Sequence, residues 1–298
     1  MTSEPEASAG AARSPRPPVE GVRRRDRDRR GESVGRRPSR FWRVRDDIPR
    51  RLRIALAIAS VTIPILAWIV LDATHAVNPI FLPSPLRVLT AARALVTTGV
   101  LVEDMSASLM RIGIGFGIAV LISVPLGLAM GTFKSVEALF EPVIGLVRYM
   151  PATAFVPLLL IWFGLDEAPK IALIVIGVVF FNTLMTANVV WQVPTELIKV
   201  ASTLGAGNTA VFTKVIFPYS LPGIIDAMRV NLAAAWNLIV VSELVASDQG
   251  LGYRIVRAQK FQRMDEIFSL LIVIGILGLA SDLALRTLRN RVSPWSQE

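Results

Sequence analysis

Four charged side chains fall inside stretches that are otherwise apolar: Arg111, Arg148, Arg229 and Glu243. Two uncharged polar residues, Asn182 and Asn237, lie in the same kind of surroundings. A charge at membrane depth costs roughly 2.5–3.5 kcal/mol on insertion scales, so each needs a counter-ion, a wet cavity or a route to the surface. The chemistry on offer is therefore ion pairing or the passage of a polar solute. Arg148 stands just before Pro151 and Pro157. At a helix break it can line a path and attract an anion; pairing with a carboxylate or snorkelling is the alternative. Arg111 and Glu243 match in depth, which favours a structural ion pair, with a gate as the sharper alternative. Arg229, nearer the inner surface, is expected to snorkel. Asn182 and Asn237 can each hydrogen-bond a passing oxyanion or a neighbouring helix.

Other chemistries lack their residues. Cysteine is absent and His75 is the sole histidine, so disulfides and cysteine or histidine metal clusters are excluded. No Ser/His/Asp set and no paired catalytic carboxylates emerge, so the chain is not expected to be an enzyme itself. Gly127, Gly131, Lys134 and Ser135 have the residue types of a phosphate-binding loop. They lack its G-x4-G-K-S spacing, and they end an apolar span instead of following a strand. No cofactor is expected on this chain.

These polar residues must be held by membrane helices. More than half of the sequence is hydrophobic, in long blocks, and a bilayer core needs ~20 apolar residues in a helix. Six spans are expected, at about 54–72, 111–132, 138–163, 171–191, 223–245 and 267–285, in an all-α membrane protein. Pro64 should kink the first, and Pro151 and Pro157 should interrupt the third. Between the first two spans, residues 86–96 can form a short amphipathic surface helix. Residues 1–53 hold sixteen arginines against eight acids, so they carry nearly all of the +9 formal charge. The segment 1–52 reads as a disordered basic tail that touches anionic lipid, not as a nucleic-acid-binding arm. The eighteen apolar residues after it exceed a signal-peptide core, so the first helix is expected to be retained. The positive-inside rule then places both termini and the loop 192–222 in the cytoplasm.

That loop is organised. Thr195 can cap a helix whose first turn holds Glu196, near the positive dipole end. Leu197, Val200, Ala201 and Leu204 form one apolar face. Gly205 and Gly207 permit a turn, a second short helix runs from about 209 to 217, and Pro218 and Pro222 should stop it. The order Ala201, Gly205, Val215, Phe217, Pro218, with three, nine and one residues between the first four, resembles the EAA loop of ABC importer permeases. Lys199 and Val200 depart from that pattern, which usually has Glu and Ala there, and Phe217 replaces Leu. Leu82, Pro83, Ser84 and Pro85 match one subgroup, as do Ser108 to Arg111, Val156 to Leu159 with Trp162 to Gly164, Ala235 and Trp236, Glu243, and Gly250 to Tyr253. Together they resemble the nitrate/sulfonate/taurine and bicarbonate type over about 80–288.

The resemblance implies a type I importer permease fold and a coupling helix at 196–218 that fits a cleft on an ABC ATP-binding subunit. It also implies an extracytoplasmic substrate-binding protein, a second permease copy, and ATP used by the partner subunit. A stand-alone secondary transporter or channel is the competing reading. Inverted repeats would support it, and none is found in the sequence.

Overall fold

Small residues decide how closely the long helices approach, because packing, not water exclusion, drives association in lipid. The computed structural model describes residues 48–296. The described residues fall into two units, divided between Thr62 and Ile63. The described part of the first is the opening half of helix α1, Arg50–Ala73, which continues through Pro64 into the second unit. No residue of α1 is buried, as suits a helix facing lipid. The expected disorder of the basic tail falls on residues outside those described, and residues 50–52, assigned to that tail, begin α1.

The regular structure described in the second unit is all helical. After α1 come α2 (Pro85–Thr97), α3 (Val100–Thr132), α4 (Lys134–Val147), α5 (Val156–Phe163), α6 (Glu167–Trp191), α7 (Thr195–Thr203), α8 (Asn208–Val211), α9 (Phe217–Ala246), α10 (Leu251–Lys260) and α11 (Met264–Val292). Among the described residues five helices are long and apolar enough to cross a membrane, or up to six when α4 and the segment 152–163 count as one broken span. The surface helix is present as α2. Ser84 caps it by accepting from the Arg87 amide, Pro85 opens it, and Val88, Ala91 and Leu95 form its buried stripe.

The core of this unit is the three-helix set α3, α6 and α9, with Ile112, Phe116, Ala119, Ile174, Val178, Trp236 and Ile239 between them. On α3, Gly115, Gly127 and Gly131 fall where α6 comes closest. A Cβ at Gly127 would lie 2.5 Å from the Thr183 carbonyl, and one at Gly131 would lie 2.5 Å from the Val190 Cβ. Midway along the bundle, Asn182 Nδ2 donates to Ser123 Oγ at 2.6 Å and Asn231 Nδ2 donates to Asn182 Oδ1 at 3.1 Å. This fully buried polar ladder ties all three helices together.

Several expected boundaries move. The second span is a longer helix that begins at Val100, because Glu103, Asp104 and Ser106 interrupt its apolar run without interrupting its backbone. The third is interrupted at Pro151 as expected, with a bend of 80° between α4 and the residues that follow, whereas Pro157 lies in the first turn of α5 and does not break it. Pro218 and Pro222 do not stop a helix before the fifth span. Pro218 directly follows the π-helical turn Phe212–Ile216, at the change of register where α9 begins, and Pro222 is carried inside α9. In place of the expected second short helix, α8 passes through a π-helical turn, Phe212–Ile216, directly into α9.

Candidate functional site

Two groups of chemistry-bearing residues lie at opposite ends of the bundle. At one end, α6 finishes and α9 starts, and the segment between them folds as a unit. Helix α7 begins one residue after Pro194, so Thr195 is its first residue rather than its cap; Glu196 keeps its place in the first turn. The helix ends in a Schellman motif: the Ala206 amide donates to the Ala201 carbonyl at 3.0 Å and the Gly205 amide to the Ser202 carbonyl at 3.0 Å. Gly205 supplies the required left-handed residue, with φ of 84°. This geometry accounts for the Ala201–Gly205 spacing. Position 201 is the carbonyl that the reversed chain returns to, and its small side chain packs with Ala206 and Ile198 against Val190, Val193, Val211, Ile216 and Ile224.

The apolar face expected on α7 divides. Ala201 is partly buried with Ile198, whereas Leu197, Val200 and Leu204 point outward, Leu204 with 82% of its surface exposed. Helix α7 is apolar on two sides, and its attachment uses the side that holds Ile198. Glu196, Lys199 and Lys214 are exposed, Val215 is half-buried, and Phe217 and Pro218 open α9 beside them. This end of the bundle therefore carries exposed apolar side chains on a rigidly terminated helix.

The opposite end is closed by charge. Arg111 Nη1 donates to Glu243 Oε1 at 2.7 Å, so the two residues matched in depth are ion-paired. The same guanidinium holds Glu167 through Nε and through Nη2 at 2.7 Å, and it donates to the Gln249 carbonyl at 2.9 Å. Glu243 also accepts from Ser108 Oγ at 2.7 Å and from the Gly252 amide at 2.8 Å. Lys170 Nζ, itself buried, completes Glu167 at 2.9 Å. Nearby, Asp104 accepts from the Gly250 amide at 2.9 Å and from Arg254 Nε at 2.6 Å. Three carboxylates and three cations thus satisfy one another across α3, α6, α9 and α10. Gly250, with φ of 118°, fits because a Cβ there would lie 2.4 Å from the Glu243 carboxyl carbon. Glu167, Lys170, Asp104 and Arg254 were not singled out from the sequence. Each stands near a helix end, where a charge is ordinary, and only its pairing is unusual.

The residues considered for a path separate. Asn182 belongs to the buried ladder, with both amide functions occupied, so it does not line a cavity. Arg111 and Glu243 are equally buried within the charged cluster. Arg229 does not simply snorkel: it reaches α11, with Nε and Nη2 on the two oxygens of Asp282 at 2.7 and 2.9 Å. Arg148 is exposed at the end of α4, where it donates to Tyr149 Oη at 3.0 Å and its guanidinium lies over that ring. No carboxylate pairs with it among the described residues. Asn237 is exposed on α9 and donates to its own helix at the Ala233 carbonyl. The turn after Arg148 packs beside it: at Gly177, Ala152 and Leu238 approach the same point, 3.2 and 2.2 Å from where a Cβ would stand. Among the described residues no group of histidine, aspartate and glutamate could hold a metal ion.

Residues 123–296 match the family described as binding-protein-dependent transport system inner membrane component. A probable ABC transporter permease protein of Brucella abortus (strain 2308) is 37% identical over 82% of this chain and 96% of its own length. The taurine transport system permease protein of Escherichia coli (strain K12) is 33% identical, over 84% and 93% respectively. Among solved structures, an inward-facing form of the MetNI methionine ABC transporter aligns with a TM-score of 0.57 at 19% identity, covering 65% of this chain and 96% of that one. The likeness in fold supports what the sequence matches establish: the chain belongs to the binding-protein-dependent transport system inner membrane components, the multi-pass permease subunits of ABC transporters.

Proposed function

We propose that this permease works in an ATP-driven importer, as one of two copies that together form the path for a small anionic solute. The observation that carries the reading is the segment 195–216. It is a short helix fixed by a Schellman turn, with Leu197, Val200 and Leu204 exposed, on a chain whose sequence has no phosphate-binding loop. Such a surface suits docking into the cleft of a separate ATP-binding subunit, which would bind and hydrolyse the ATP. Closure of the ATP-binding pair would push on Glu196, Lys199, Ala201, Gly205, Val215, Phe217 and Pro218 and tilt the helices that flank them. An extracytoplasmic binding protein would deliver the solute at the opposite end. The loop and both termini then lie in the cytoplasm, and the permease sits in the bacterial inner membrane.

The solute class rests on two supports. Relatives include a taurine permease, and Arg148, exposed at a bent helix without a carboxylate partner, offers a cation to an anion such as taurine, another sulfonate or nitrate. Asn237, near the same bend, would line the path with it. Gly205→Pro tests the docking role. Proline cannot adopt φ of 84°, so the substitution undoes the turn that fixes α7. The expected result is loss of co-purification with the cognate ATP-binding subunit while the permease remains in the membrane. Unchanged association and uptake would overturn the assignment.

A further inference from the structure

The described C-terminus returns to the docking end. After α11, Ser293 is fully buried, and a short 3-10 turn, Pro294–Ser296, places Trp295 beside α7 and the start of α9. Trp295, Leu197, Val200, Leu204, Tyr219 and Lys214 all line one open groove of about 440 Å³. Its walls are apolar yet wet: Trp295 is 59% exposed, Val200 58% and Tyr219 48%. Contiguous exposed apolar surface of this kind marks a place where a partner binds. Lys214 lies on the groove wall, is exposed, and has no ion-pair partner among the described residues. The charge at the rim therefore calls for a carboxylate on whatever enters.

We propose that the C-terminal turn, through Trp295, completes a receptacle that takes an apolar side chain of the ATP-binding subunit, flanked by a carboxylate that meets Lys214. The inference rests on the docking role of 195–216 and adds a wall to it from the other end of the sequence. Continuity supports this occupant, because the groove shares Leu197, Val200 and Leu204 with the outward face of α7. Tryptophan is the residue type most often found where a few contacts dominate a protein interface.

The test uses the full chain in detergent, with the cognate ATP-binding subunit titrated onto it. Trp295→Ala is expected to weaken association by on the order of tenfold or more, and Trp295→Phe to recover most of the loss. Lys214→Glu should weaken association comparably and reverse its dependence on salt, because repulsion then replaces attraction across the rim. The thermal midpoint of the permease alone should stay where it was. Two results overturn the receptacle: association that is unaffected by Trp295→Ala, or a Trp295→Ala permease whose self-association is lost while its affinity for the ATP-binding subunit is kept. If Trp295→Ala binds normally while Gly205→Pro does not, the receptacle fails and the docking role survives. If both bind normally, the docking role fails as well.

Discussion

The two ends of the helical bundle solve opposite problems with opposite chemistry. At the Arg111 end, six buried or half-buried charges are paired inside the chain, and the loop leading into α10 is fastened to them through the Gly250 and Gly252 amides. At the α7 end, Leu197, Val200, Leu204 and Trp295 are left in the open. The first end is complete in itself. On the docking reading proposed above, the second is finished by another subunit. Burial of a charge is tolerable when its partners are covalently part of the same fold, whereas exposure of apolar area is tolerable when another subunit is at hand to cover it.

Substitutions at the two ends should therefore fail differently. The largest effect on the fold is expected from Arg111→Met, which leaves Glu243 and Glu167 without their main cation. Breaking a buried pair from one side costs about 3–5 kcal/mol. A thermal melt in detergent should show a steep loss of midpoint, while the fraction that remains folded still captures the ATP-binding subunit. A melt like that of the parent would mean that the cluster does not hold this end together. Next comes Gly250→Ala, which forces a side chain into positive φ and against the Glu243 carboxyl. The expected penalty is about 1–3 kcal/mol, read from the same melt. Leu204→Ser should be the smallest for the fold, within about 0.5 kcal/mol, as for other surface changes. Its cost should appear in subunit association instead. If Leu204→Ser lowers the melt but not the association, the contrast between the ends is lost.

Much of this was written in the chain in plain form. Apolar runs gave the spans because lipid demands length. The Ala201–Gly205 spacing announced the turn because only a glycine sits easily at φ of 84°. What the sequence concealed depends on three-dimensional register. Glu167 and Asp104 carry no signal of their own, since a carboxylate beside a helix end is commonplace; their meaning comes from facing Arg111 and Arg254. Likewise Asn182 and Asn237 look alike along the chain, but one is enclosed by α3 and α9 and the other faces outward. Prolines announced a break near 151 but not its 80° angle, and at 218 and 222 they suggested a stop where the π turn instead runs directly into α9.

The glycines of α3 have a mechanical consequence. Because Gly115, Gly127 and Gly131 let α6 come within van der Waals range along most of its length, the two helices behave as a stiff double rod rather than as two springs. Helix α6 has 25 residues, or roughly 37 Å at 1.5 Å per residue. If the rod pivots at one end, a tilt of about 5° carries the other end about 3 Å, about the length of a hydrogen bond. A tilt delivered next to α7 would thus carry Glu167 and Arg111 together, and the distance it covers is of the size needed to part Arg111 from Glu243 on α9.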